Sequence, residues 1–284
     1  MSVGFLNAMT VDVEDYFHVQ AFADVVPYSD WECYPSRVER NTLRLLEMFA
    51  CRQVRGTFFV LGWVAEKFPG LVQAIRKAGH RVGCHGYAHR LIYEGNEMDF
   101  RNDVRRARQT IEDITGMSVT SFRAPSYSIT SETLWAFEIL GEEGFEYDSS
   151  IFPVIHDNYG IPDAPRFPYT KRLKCGRQIS EFPPSTLRVL GSNIPVAGGG
   201  YLRLVPYRLT AWAIHHLNQT ERQPAMVYLH PWEIDPDQPR ISAPWLSRFR
   251  HYNNLDSTET KCQKLLDDFS WAPMEEVLSQ RLAQ

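Results

Sequence analysis

Short apolar runs alternate along this chain with amphipathic helical stretches, and that alternation limits its fold more than any other feature. Apolar or β-branched segments lie at residues 4–11, 56–61, 81–84, 119–122, 179–182 and 225–229. Between them, Val38, Leu45, Leu46 and Phe49 recur at helical spacing in residues 36–49. Phe100, Val104, Ala107, Ile111 and Ile114 do so in 99–115, which Gly116 stops. A third helix is predicted over 131–143, with Thr130 as cap and Gly144 after it. A fourth follows Pro206, with Leu209, Trp212, Ala213 and Leu217 on one face. Strand and helix in alternation imply βα units and a parallel sheet. No linker, repeat or low-complexity tract interrupts the 284 residues, and 44% hydrophobic content suffices for a substantial core. The prediction is an α/β fold: one barrel-like domain over 1–230, then an extension over 231–284 packed on it. The extension is Pro-rich at first and then helical at about 258–269 and 274–282.

A net charge of −4 gives no electrostatic case for nucleic acid or an anionic membrane as partner. Five widely spaced cysteines without a Cys-x-x-Cys pair point to reduced thiols and a cytoplasmic location. The first seven residues are too short and too sparsely apolar for a signal peptide. The best apolar run, 57–64, is far below membrane-spanning length.

Several polar residues fall directly at strand ends: Asp12 after the first, His85 after the third, Arg123 after the fourth and His230 after the last. In a parallel barrel those ends share one face, so residues scattered from 12 to 230 can converge there. His85 and His89, four apart and flanked by Gly83, Gly86 and Ala88, can meet one metal ion on a single helical turn. A third ligand has to come from elsewhere, and two histidines with one carboxylate leave a position open, the mark of a catalytic metal. Asp12, Glu14 and Asp15 form an acidic cluster that repels itself unless a cation compensates. One of these carboxylates would bind the ion while another stays free as a base. Arg123 is placed to hold such a base ionised and oriented. His230 is the best general acid available, its ordinary pKa lying near neutrality, and Asp148 either orients that imidazole or caps a turn. Tyr16, Tyr87, Tyr127, Tyr201 and Trp232 stand beside these residues, and some of them could stack on sugar rings. The run Gly198-Gly199-Gly200 reads as a tight turn rather than a phosphate cradle, and Arg240, Arg248 and Arg250 as solvated surface charge.

Taken in order, Thr10-x-Asp12, His85-x-x-x-His89, Arg123-x-Pro125 and Leu229-His230 resemble the motifs of the polysaccharide deacetylase family, the NodB-like carbohydrate esterases. The stretches from Asp12 to Phe17 and from His230 to Ile234 resemble a subfamily associated with exopolysaccharide and exosortase gene clusters. The resemblance implies a distorted (β/α) barrel and hydrolysis of N-acetyl groups on an amino-sugar glycan, an exopolysaccharide or its precursor. It also implies a divalent metal, zinc first among the candidates, with His85 and His89 as ligands. Asp12 becomes the general base, Arg123 its tether and His230 the general acid. Two positions depart from the family pattern. Val13 stands where a second aspartate is usual, so Glu14 or Asp15 must complete the ligand set, and Asp15 is favoured. Ser126 follows Pro125 where tyrosine is common, with Tyr127 one place later. Asp148 matches the family's mid-chain aspartate loosely. Two other readings compete: a metal-independent hydrolase of cyclic ureides or imides, allantoinase-like, and a glycan-binding member without catalysis.

Overall fold

The computed structural model describes residues 5–196 and 198–283. Gly4, the expected start of the first strand, and most of the N-terminal stretch weighed as a signal peptide lie outside them. The strands are β1 (Leu6–Val13), β2 (Thr57–Val60), β3 (Arg81–Cys84), β4 (Ser121–Phe122), β5 (Tyr147–Asp148), β6 (Tyr169–Arg172), β7 (Gln178–Glu181), β8 (Thr186–Val189), β9 (Ser192–Pro195), β10 (Met226–Leu229) and β11 (Ser270–Ala272). The helices are α1 (Val38–Ala50), α2 (Gly62–Lys67), α3 (Pro69–Lys77), α4 (Glu97–Thr115), α5 (Ala136–Glu142), α6 (Gly199–Leu204), α7 (Tyr207–Gln219), α8 (Trp245–Tyr252), α9 (Leu255–Asp268) and α10 (Met274–Leu282).

Among the described residues one curled sheet runs β10-β1-β2-β3-β4-β5-β7-β6, with β11 also paired to β1. Within this sheet every pairing is parallel except β6 with β7, as the strand–helix alternation requires, and β8 and β9 form a separate antiparallel pair. The result is an α/β half-barrel, open between β10 and β6. β1 lies one place in from the β10 edge, between β10 and β2, and is buried from Asn7 onward, so its apolar side chains face cover on both sides. α4 illustrates how local chemistry fixes an element. The Asn96 side chain accepts from the Met98 and Asp99 amides, while Gly116 ends the helix in the left-handed region at φ 65°.

Three elements differ from the sequence expectation. β1 runs on to Val13, so Asp12 is its penultimate residue rather than the start of a loop. The helix predicted from 131 begins only at Ala136, because Thr133 Oγ1 accepts the Thr130 amide at 2.8 Å and holds residues 130–133 in a turn. Past residue 230, α9 and α10 lie near their expected places, but α8 and β11 were not anticipated. α10 carries Glu275 under the sheet to Thr57 Oγ1 (2.5 Å) and Ser121 Oγ. The extension therefore adds a strand to the main sheet and seals its amino-terminal end.

Candidate active site

The carboxyl ends of β1, β3 and β10 meet at one cavity, whose wall includes Asp12, Glu14, His85, His89 and His230. Arg123, just after β4, lies fully buried beneath them.

Glu14, His85 and His89 each offer a ligand atom, and these atoms all lie within 4.8 Å of one another. His85 Nδ1 is 2.8 Å from the Arg123 carbonyl oxygen, so it carries a proton and donates it there. That leaves Nε2 unprotonated and turned to the cavity, the tautomer a metal ligand needs. Glu14 Oε2 and His89 Nε2 approach to 2.9 Å without hydrogen-bond geometry, leaving a buried carboxylate oxygen without a hydrogen-bond donor. Two acceptor atoms aimed at a common point in this way fit a shared cation. Burial opposes charge on Glu14, yet His89, His230 and His85 around it hold the carboxyl well below the usual range. Burial pushes His85 down to about 4, keeping it neutral and able to ligate.

The expected preference for Asp15 over Glu14 is reversed. The Asp15 carboxylate accepts from Ser36 Oγ (2.5 Å) and from the Arg37 (2.7 Å) and Val38 (3.0 Å) amides, which tie it to the first turn of α1. Its other oxygen accepts the Tyr16 amide. Asp15 is therefore spent on fixing the loop after β1 to a helix N-terminus. Glu14, one residue earlier, takes the position facing the histidines.

Asp12 is held from below. Arg123 Nη1 donates to its Oδ1 at 2.6 Å and to Thr10 Oγ1 at 2.9 Å, while Nε and Nη2 donate to Ser149. A buried guanidinium anchored at both ends keeps that carboxylate fixed and compensates its charge. On the far side, His230 Nε2 lies 3.8 Å from Asp12 Oδ2 and 3.7 Å from Glu14 Oε1.

Asp148 does not orient His230. Its carboxylate accepts the Ser150 amide and hydroxyl and pairs with Glu181 on the neighbouring strand. The residue beside His230 Nδ1 is Glu233, at 3.1 Å, and Glu233 Oε2 also accepts the His230 amide. Arg203 from α6 donates Nε to Glu233 Oε1 at 2.8 Å. Burial works against charge on His230, but Glu233 and then Glu14 and Asp12 outweigh it and push the pKa up to about 9. The sequence signal for Glu233 was present: a carboxylate three residues after His230, closing a capping box around Pro231.

The aromatic expectations divide. Tyr127 lines the cavity and packs on Phe152 and Tyr228. Tyr201 sits behind that wall, its hydroxyl 3.3 Å from that of Tyr159, and Tyr159 is the residue that reaches the cavity. Trp232 cannot stack on a sugar, because its ring is sandwiched between His230 (5.1 Å) and His251 (4.1 Å). Its indole N–H instead donates to Glu14 Oε1 at 3.1 Å. His18, unmarked in the sequence, accepts the Asp15 amide at Nδ1 and is buried beside Trp31 and Trp63.

The triple glycine is not the tight turn expected: Gly199 and Gly200 open α6, and Gly198 caps it. A Cβ on Gly198 would fall 1.9 Å from the Tyr228 carbonyl oxygen, so only glycine lets α6 press against β10. His89, Ser126 and Tyr127 all take left-handed backbone conformations (φ 51°, 51° and 54°), concentrating strain around the cavity.

A family described as polysaccharide deacetylase matches residues 28–144, and one described as a domain of unknown function, DUF3473, matches residues 149–279. The peptidoglycan-N-acetylglucosamine deacetylase of Bacillus cereus is 34% identical over 98 residues, which are 34% of this chain and 36% of the relative. The peptidoglycan deacetylase of Helicobacter pylori is 32% identical over 108 residues, 38% of this chain and 36% of the relative. The chain thus matches little more than a third of the length of either relative. A Mycobacterium smegmatis crystal structure provisionally named a polysaccharide deacetylase shares the fold, with a TM-score of 0.60 at 20% identity over 100% of this chain and 93% of that one. Residues 28–144 are thus similar to the polysaccharide deacetylase family, and the segment that matches DUF3473 carries His230, Glu233 and the Trp232 donor to Glu14.

Proposed function

We propose that this protein is a metal-dependent hydrolase that removes N-acetyl groups from an amino-sugar glycan, an exopolysaccharide or its precursor. The observation that carries the reading is the grouping of Glu14, His85 and His89 within 4.8 Å, with the Arg123-bound Asp12 and the Glu233-bound His230 beside them. Glu14, His85 and His89 would hold a divalent ion, zinc by ligand type, which supplies Lewis acidity to the acetyl carbonyl and acidifies water.

The chain's own residues account for the proton movements. Asp12 takes a proton from the attacking water as its oxygen bonds to the acyl carbon. The Tyr127 amide is spent on the Ala124 carbonyl (3.0 Å), so the Ser126 amide is the donor on that turn that fits the developing oxyanion. One such donor is worth about 3–4 kcal/mol. His230, protonated at neutral pH, gives its proton to the departing nitrogen as the C–N bond breaks, yielding acetate and a free amine. The intact ligand trio speaks against the metal-independent cyclic-imide alternative.

The test is acetate release from N-acetylglucosamine oligomers, peptidoglycan fragments and purified exopolysaccharide, with metal loaded and with metal chelated. Metal-dependent release, lost in Asp12→Asn and His230→Ala while both keep their metal, supports the assignment. Turnover of a cyclic imide that survives chelation would replace it.

A further inference from the structure

His251, on the last turn of α8, lines the catalytic cavity but has no part in the proton transfers of the reaction. Its buried ring stacks on Trp232 at 4.1 Å between centroids and packs on Phe22 at 4.7 Å and Tyr252 at 4.6 Å. The structure nonetheless fixes which of its nitrogens carries hydrogen.

Gln238, buried in the loop before α8, donates Nε2 to the carbonyl oxygens of Trp232 (2.8 Å) and Asp235 (2.9 Å). Both amide hydrogens are thereby used, so Oε1 is the atom that faces His251 Nε2 at 2.7 Å, and it can only accept. Nε2 therefore carries a proton. Burial, and after it the Arg203 charge, hold the imidazole well below its ordinary pKa, so the neutral ring carries that proton alone. Nδ1 is left as a bare acceptor. Among the described residues it has no hydrogen-bond partner, yet it is not one of the buried atoms closed off from solvent. The small open part of this residue belongs to the cavity it lines.

The Trp232 ring separates His251 from His230, so Nδ1 lies beyond the group that meets the departing nitrogen. It faces a part of the substrate away from the reacting acetamide. A carboxylate or phosphate could meet Arg250 on the same wall but offers no hydrogen to this lone pair; a hydroxyl satisfies both.

We propose that His251 Nδ1 is a specificity contact of the catalytic cavity, accepting a hydroxyl of the glycan beyond the acetamido group that is hydrolysed. The identity of the ligand as a sugar rests on the catalytic reading; the contact itself is measured by binding, without turnover.

The experiment separates the two ring nitrogens. Asparagine in place of histidine puts its amide near the Nδ1 position, and glutamine near the Nε2 position. His251→Asn therefore keeps an acceptor for the glycan and gives up the bond to Gln238. His251→Gln keeps a donor to Gln238 and gives up the acceptor at Nδ1. Both lose the stacking on Trp232, so the two are compared with each other. Each is made in the full, zinc-loaded chain carrying Asp12→Asn and titrated calorimetrically with the N-acetylglucosamine tetramer. His251→Gln is expected to bind about tenfold more weakly than His251→Asn, the worth of one hydrogen bond. Thermal unfolding should show the opposite order, because the asparagine variant leaves the buried Gln238 Oε1 without a donor. Equal affinities, or weaker binding by the asparagine variant, would overturn the proposal, as would an Asp12→Asn parent that binds no tetramer. The catalytic reading fails separately: if wild type releases no acetate while the difference in binding persists, the hydroxyl contact stands and the hydrolase does not.

Discussion

Glu233 Oε2 lies 3.1 Å from Nδ1 of His230, and the same carboxylate is pinned on its other oxygen by Arg203. The pair is local in sequence, yet Arg203 arrives from α6, thirty residues away. An imidazole whose Nδ1–H is donated to a fixed carboxylate presents Nε2 to the cavity in one orientation. The carboxylate that orients His230 therefore comes from the turn right after it.

Glu233→Gln should keep the fold and the metal but reduce turnover by roughly 10²-fold or more, the range of general acid catalysis. The loss should lie in kcat rather than KM. Initial rates of acetate release beside metal analysis check it; a variant with wild-type kcat would remove Glu233 from the mechanism.

Trp232 predicts a separable effect on metal affinity. Its indole N–H fixes Glu14 Oε1, so Trp232→Phe keeps most of the stacking between His230 and His251 but frees the carboxylate. Removing such an outer hydrogen bond costs about 10–100-fold in affinity. Titration with a competing chelator measures this, and unchanged affinity would contradict it.

Asp15→Ala should destabilise the protein by about 1.5–3 kcal/mol or more, the worth of charge-assisted hydrogen bonds at a buried helix start. Three donors from Ser36, Arg37 and Val38 lose their acceptor together. Denaturant unfolding of the purified variant gives the figure.

Asp148 and Glu181 give a pH signature of stability. Burial, and then the Asp148 charge, raise the Glu181 carboxyl well above its ordinary value, so the folded protein holds a proton there. The unfolded chain releases it above about 4.3. With the folded pKa raised, the contribution is complete below that point and is lost as pH climbs toward the folded value. The slope is at most about 1.4 kcal/mol per pH unit. Glu181→Gln, an uncharged isostere able to donate to Asp148, should flatten the decline between about pH 5 and 7. Urea midpoints across that range would show it, and parallel wild-type and variant curves would refute it.

Much of this arrangement was legible in the sequence, and particular residues show where legibility stopped. β3 was read to the residue, and the strand-end positions of His85, Arg123 and His230 followed from alternation alone. Glu14 and Asp15 could not be told apart, because both follow one strand. What separates them is the arrival of the α1 amides, a tertiary event with no local signal. Trp232 looked like a sugar platform because its neighbour in sequence was known but its cover, His251 on α8, was not. β11 is three residues long, too short to show an alternation, and in α8 the helical spacing of Trp245, Phe249 and Tyr252 lasts only two turns after a Pro-rich stretch.

The most direct measurement is the divalent-metal content of wild type, Glu14→Ala, His85→Ala and Asp15→Asn after zinc loading and desalting. About one ion per chain in wild type and Asp15→Asn, and none in the other two, is the result the Glu14, His85 and His89 site predicts. An ion retained by Glu14→Ala but lost from Asp15→Asn, or no ion in wild type, would contradict it.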